Sequence, residues 1–180
     1  ERAVAAGVKV IEHGNLMDEA SAKLIADKGI WLSFQPFVDD GFVPLMPPSS
    51  MARLRQIFAG TEATVAVAKK YKLKLAWGTD VLFSAANATR QGALLLQMGQ
   101  WFTPAEVLAM ATRAGVELLT LSGPRNPYPG KLGVVEEGAL ADLLLVDGNP
   151  LADLKLISAP ERNFVLIMKG GVTYKNLLPQ

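Results

Sequence analysis

The residue pattern predicts an α/β fold built on a parallel sheet, followed by a smaller and mostly β portion. Two observations carry this. Through residue 123, short apolar strand patterns alternate with helix patterns, and that alternation builds parallel strands joined by right-handed crossovers. Beyond Gly123 the periodicity becomes that of strands, with a hairpin near the end. The 180 residues are 50% hydrophobic and 19% charged, which excludes a disordered tail, a coiled coil or a collagen-like fibre.

Each element has a local reason. Residues 1–6 read as a helix and Gly7 as its stop. No N-cap precedes that helix and position 1 is Glu rather than Met, so the chain is expected to be the C-terminal part of something longer. Residues 8–11 form a β-rich run. Asp18 caps a helix that runs to about Lys28, with Gly29 as its stop. Residues 30–34 read as a buried parallel strand, apolar on both faces. Residues 37–50, with Pro44, Pro47 and Pro48, read as a loop. A helix pattern resumes at Met51, is expected to break at Gly60, and restarts with Thr61 as a cap to run to about Lys72. Residues 73–77 are a third strand, leading into Gly78-Thr79-Asp80. A helix is expected from Asn87 to Met98. Thr103-Pro104-Ala105-Glu106 opens another as a capping box with Pro at its first position. Val107, Ala111, Ala114, Leu118 and Leu121 then mark one apolar stripe. After Gly123, Pro124, Pro127 and Pro129 exclude helix and central strand. Strands follow over residues 142–146, 164–168 and 172–174, the last two joined by Lys169-Gly170-Gly171.

Charge and cysteine content narrow the function. Eighteen Lys and Arg against seventeen Asp and Glu give a net charge of +1, which provides no basic field for a nucleic-acid partner. The longest uncharged run, residues 91–105, is 15 long and shorter than the roughly 18 residues of a membrane span. No Cys is present, so thiolate metal sites, disulfides and Cys nucleophiles are excluded. A cytoplasmic location is expected. A closed barrel takes about eight strands and roughly 250 residues, and three parallel strands leave open edges. The sheet is therefore expected to be completed by a missing N-terminal half, another chain or homo-oligomer contacts.

Two residues stand where parallel α/β sheets gather function, at the carboxyl ends of strands. His13, the single His, lies two residues beyond the first strand run, and Asp80 three beyond the third. An imidazole and a carboxylate so placed read as half of a divalent metal site. A lone His is more often a satisfied polar residue than a ligand, and Asp80 reads equally as a cap of the next helix or as the closure of an Asx turn. Glu12 is a candidate to orient His13, or a solvated carboxylate. Trp31 and Trp77 read as core, Arg125 as a surface residue, and Lys69-Lys70 as a solvated helix end.

Several motifs in order carry a resemblance. Val10-Ile11-Glu12-His13-Gly14, the helix after it and residues 30–36 resemble barrel strands six and seven of the metal-dependent amidohydrolase superfamily. Lys74 to Asp80 resembles strand eight, whose Gly-Thr-Asp ends in a metal-binding Asp. Thr103 to Leu108 with Ala111-Thr112 resembles the helix that follows. Gly138 to Leu151 is similar to the return into the superfamily's small β-sandwich, and Ile167 to Gly171 to its closing hairpin. The nearest branch is the imidazolonepropionase-like and Xaa-Pro dipeptidase-like one.

The resemblance implies an α/β fold made of about strands six to eight of a TIM-like barrel over residues 1–123, with part of a composite β-sandwich over residues 124–180. It implies a hydrolase of C–N bonds in peptides or cyclic amides, acting on a small-molecule or peptide substrate through metal-activated water and inactive as an isolated piece. The cofactor would be a divalent metal, zinc, as one or two ions. His13 would be a metal ligand or contact the water. Asp80 would be metal ligand and general base. The superfamily's His-x-His pair, bridging Lys or Glu, and strand-five His have no counterpart here, and Ser33-Phe34-Gln35-Pro36 replaces a common Pro-Thr pair. The contrasting expectation is a non-catalytic module that completes its sheet with a partner chain.

Overall fold

The computed structural model describes residues 1–39, 46–81 and 85–179. Residues 40–45 of the loop expected over 37–50, Pro44 included, and residues 82–84 lie outside the described residues, while residues 48–50 are helical, Pro48 being the first residue of a helix. The chain forms two compact units, Glu1–Gly78 and Thr79–Gln180. Together they make an α/β fold with one parallel and one antiparallel sheet.

The first unit begins with helix α1 (Arg2–Ala5), which ends at Gly7 with φ 87°. Strand β1 (Val10–Glu12) follows, then α2 (Glu19–Asp27), β2 (Trp31–Phe34), α3 (Pro48–Lys70) and β3 (Lys74–Trp77). The Asp18 carboxylate caps α2 by accepting the Ser21 N–H at 2.8 Å. The strands lie in the order β1-β2-β3, all parallel. Central β2 is buried on both faces, with Leu32 and Phe34 fully enclosed. That is why its sequence, Trp-Leu-Ser-Phe, is almost wholly apolar rather than alternating.

Helix α3 corrects one expectation. It runs unbroken through Gly60 and Thr61. Its buried residues, Thr61, Thr64, Val65 and Ala68, recur at three, four and seven, which is one face of a helix. Thr61 is not a cap; its hydroxyl donates to the Phe37 carbonyl at 2.9 Å. Gly60 is not a break. A Cβ there would stand 2.1 Å from the Asn15 carbonyl oxygen, so the glycine exists to let a loop backbone touch the helix.

In the second unit α4 (Ala85–Ala88) and α5 (Gln91–Gln97) replace the single helix expected over residues 87–98. The chain breaks at Arg90, with φ −108° and ψ 21°, where local side chains take over: Thr89 donates to the Ala86 carbonyl and Arg90 to Asn87 Oδ1. A Cβ on Gly92 would lie 2.2 Å from the Ile157 carbonyl oxygen, so α5 packs backbone to backbone on the 3-10 turn Leu154–Ser158. The capping box at Thr103 and Glu106 is formed as expected and opens α6 (Pro104–Ala111). The expected stripe does not continue. Thr112, at φ −117° and ψ −93°, separates α6 from α7 (Arg113–Leu119). Its hydroxyl donates to the Leu108 carbonyl at 2.7 Å, a back-bond that bends helices. Val107 is buried, whereas Leu121 is exposed.

The 3-10 segment Thr120–Arg125 carries Pro124 past a non-helical Gly123 at φ 54°. Strand β4 (Leu143–Val146), the short α8 (Pro160–Asn163), β5 (Phe164–Lys169) and β6 (Val172–Asn176) complete the chain. The strands form an antiparallel meander. Gly170 and Gly171, at φ 56° and 79°, make the hairpin turn, as residues with φ > 0 must in a two-residue loop. Among the described residues no helix is long and apolar enough to cross a membrane.

Two outcomes test this packing. Gly60→Ala should destabilise the protein by about 2 kcal/mol or more, because the added methyl overlaps a backbone oxygen rather than a movable side chain. Gly115→Ala, whose Cβ would meet nothing nearer than 3.6 Å, should be neutral or stabilising by up to about 1 kcal/mol. Denaturant unfolding of both variants checks the contrast. Hydrogen bonds from Ser21, through its side chain and its backbone N–H, hold the Asp18 carboxyl below its usual range. Stability from this cap is therefore present above about pH 3.9, the ordinary Asp value, and is lost as pH falls through the lower folded value. Unfolding curves of the parent and Asp18→Ala should differ at neutral pH and converge in acid.

Candidate functional site

The site grows from the carboxyl end of the parallel sheet. His13 is the first residue after β1, and its N–H donates to the Ser33 carbonyl at 2.9 Å, extending the β1–β2 ladder one step. Its backbone is left-handed, φ 65°, and Gly14 follows at φ 70°. A Cβ on Gly14 would stand 2.7 Å from Leu32 Cδ1, so conformation and space both demand glycine. The exposed imidazole has Nδ1 2.6 Å from Gln35 Oε1 and packs edge-on to the Phe37 ring, centroids 6.2 Å apart.

Beneath it lies a buried polar cluster. Asn15 is 6% exposed, and its Nδ2 donates to the Gln35 carbonyl and to Thr61 Oγ1, both at 3.1 Å. Thr64 donates to the Gly14 carbonyl at 3.0 Å. Asn15 Oδ1 is buried with no hydrogen-bond partner among the described residues. Gln35, one residue beyond β2, is also 6% exposed. After β3, the Gly78 N–H donates to the Phe34 carbonyl at 3.2 Å. An apolar cavity of about 540 Å³ opens beside His13, lined by Ile11, Met17, Leu24, Phe37 and Ile57.

The sequence-derived candidates fall as follows. His13 stands at the end of β1, and Gln35 rather than Glu12 is its described Nδ1 partner. Asp80 is exposed, three residues beyond β3, with a left-handed φ of 49°. Left-handed backbone in non-glycine residues concentrates at functional positions. Among the described residues no three His, Cys, Asp or Glu side chains come together as a metal site. Trp31 is core, and Arg125 is exposed. Lys70 and Tyr71 both bond Glu19 and hold its carboxyl below the usual range. Sequence reasoning missed Gln35 and Asn15 as parts of the site. The signal available for Gln35 was its position just past β2, the same rule that selected His13.

The first unit is thus a parallel α/β sheet with an imidazole and an amide just past its strand ends. The comparisons with known proteins narrow its class. The amidohydrolase family model matches residues 1–174, and the chain belongs to that family, as the sequence motifs suggested. A solved amidohydrolase is 32% identical, with a TM-score of 0.84, covering 99% of this chain and 42% of that one. A prolidase in complex with N-methylphosphonate-L-proline is 28% identical, with a TM-score of 0.83, covering 97% and 42%. Ochratoxinase of Aspergillus niger is 29% identical over 177 residues, 96% of this chain and 35% of that protein. The chain thus spans about a third of the length of the curated relatives it matches.

The buried cluster makes a stability prediction. Asn15→Ala should destabilise the full-length protein by about 1–3 kcal/mol, because it strands the Gln35 carbonyl and Thr61 hydroxyl without their donor. Chemical denaturation measures it, and an unchanged midpoint would remove the cluster from the account.

Proposed function

We propose that this chain is the C-terminal part of a metal-dependent amidohydrolase that cleaves amide-type C–N bonds, of the kind found in dipeptides or cyclic amides. One observation carries the reading. The family match covers residues 1–174, and within it an imidazole and a carboxylate, His13 and Asp80, each follow closely on a strand of one parallel sheet. On this reading residues 1–123 are strand-helix units six to eight of a TIM-like barrel and residues 124–180 are part of a composite β-sandwich. The remaining strands come from sequence outside residues 1–180 or from a second copy, and the isolated chain is inactive. The prolidase that holds a proline phosphonate and the 25%-identical Xaa-Pro dipeptidase with bound methionine support a dipeptide-like substrate.

The donor chemistry fits a divalent cation, with zinc as the first candidate. Neutral imidazole nitrogen and carboxylate oxygen are both ligands that zinc takes. A ring whose Nδ1 is already engaged by an amide oxygen presents the state a metal-bound His adopts. The other ligands come from elsewhere in the complete enzyme. When bound, the metal supplies Lewis-acid polarisation of the carbonyl and a lowered pKa for water. His13 would hold the cation through its ring. Asp80 would hold it through its carboxylate and accept the proton of the attacking water. As the water oxygen bonds the carbonyl carbon and the C–N bond breaks, that proton passes to the leaving nitrogen.

The test uses the full-length protein and a panel of Xaa-Pro dipeptides. Asp80→Ala should lower kcat by about 10²–10⁴-fold, the usual worth of a positioned base, with the fold retained by circular dichroism. Chelation should abolish turnover and zinc should restore it. Undiminished turnover in Asp80→Ala would overturn the role given to this carboxylate.

A further inference from the structure

We infer that Gln35 is a positioning residue that fixes the tautomer and orientation of the His13 ring, and that Gly78 supplies the space it needs. The inference rests on the reading of His13 as a metal ligand and extends it to two residues that reading does not use. Gln35 Oε1 lies 2.6 Å from His13 Nδ1. A carboxamide oxygen only accepts hydrogen bonds, so Nδ1 carries the proton. In the neutral ring the lone pair then resides on Nε2, the form in which imidazole binds a cation.

The carboxamide is itself held. Gln35 is buried, and its backbone carbonyl is tied to Asn15 Nδ2 at 3.1 Å. The other end of its side chain lies against the end of β3, where a Cβ on Gly78 would stand 3.1 Å from Gln35 Nε2 and 3.7 Å from Ser33 Oγ. Gly78 is absent from the left-handed glycines, so its backbone conformation does not call for glycine. The close approach of the amide does. One side chain on β2's end thereby links the residues just past β1 and β3, and the imidazole inherits its rigidity. Partners of this kind, donated to by the second nitrogen of a ligating His, set ring orientation and ligand basicity.

The experiment measures zinc affinity of the full-length protein, stripped of metal and retitrated against a chromophoric chelator. It is paired with ¹⁵N spectra of the His13 ring in the stripped protein, assigned by difference against His13→Ala. Gln35→Leu should weaken zinc binding about 10–100-fold, the usual effect of losing such a partner, and should abolish the fixed Nδ1–H tautomer. Gln35→Glu keeps an acceptor oxygen and should restore both. Gly78→Ala leaves the amide intact but crowds it, and should weaken binding in the same direction. If Gln35→Leu and Gln35→Glu both bind zinc like the parent while His13→Ala does not, the positioning role is wrong and His13 stays a ligand. Equal losses in Gln35→Leu and Gln35→Glu would reduce Gln35 to packing and overturn the inference. If His13→Ala binds zinc like the parent, the ligand reading itself fails, and the inference falls with it.

Discussion

The strand-end geometry of the first unit depends on the hydrogen bonds made by two buried carboxamides, Asn15 and Gln35. A buried amide left without partners costs about 1–3 kcal/mol, so the loops that carry these residues are confined to positions where their bonds can form. Asn15 spends its two N–H groups on the Gln35 carbonyl and on Thr61. Thr61 reaches on to Phe37, and Thr64 to Gly14. Both threonines lie on the buried face of α3, which is polar at Thr61 and Thr64 and apolar at Val65 and Ala68. The helix is thus a clamp at one end and a core element at the other. Gly60 is the point of closest approach that brings the clamp to bear.

This clamp makes sense of the backbone at His13. A non-glycine residue in the left-handed region, followed at once by a second left-handed residue, is a turn the chain would not adopt freely, at a cost of about 1–3 kcal/mol per strained residue. The turn carries the chain out of the β1 ladder and buries Asn15 two residues later. The hydrogen bonds that Asn15 gains there offset the strain. A stiff turn is what a ring needs if its nitrogen must meet a cation at a defined angle.

Features set by neighbouring residues were legible in the sequence. The Asp18 cap, the Thr103–Glu106 capping box, the glycine hairpin and the three parallel strands all follow from neighbours within a few positions. Gly60-Thr61 was misread because a glycine followed by a threonine has the local signature of a stop and a new cap. The true cause lies in Asn15, 45 positions back, whose carbonyl the glycine admits. Thr112 misled in the opposite sense: the apolar spacing continued through it while its hydroxyl turned on the helix's own Leu108 carbonyl. The place of His13 just past a strand was legible because position at a strand end is a local property. Gln35 was not, because its meaning comes from an imidazole 22 residues away.

Exposure separates the candidate residues into two kinds. His13 and Asp80 are exposed, while Asn15, Gln35, Thr61 and Thr64 are buried. On the proposed function the exposed pair exchange protons or bind a cation, and such groups must be reachable by water. Groups that aim them must be shielded from it, since a hydrogen bond in a low-dielectric interior holds its geometry better than one that competes with solvent. The same division sorts the glycines. Gly14 and Gly60 make room for side chain and backbone in the buried layer, and Gly78 makes room for the amide that joins that layer to the exposed ring. In the Gly-Thr-Asp sequence after β3, Gly78 is the space beside the Gln35 amide, and Asp80 is the carboxylate to which the proposed function assigns the chemistry. Gly78 meets Gln35 by topology, because in a parallel sheet the residues that leave one strand are the near neighbours of those that leave the next.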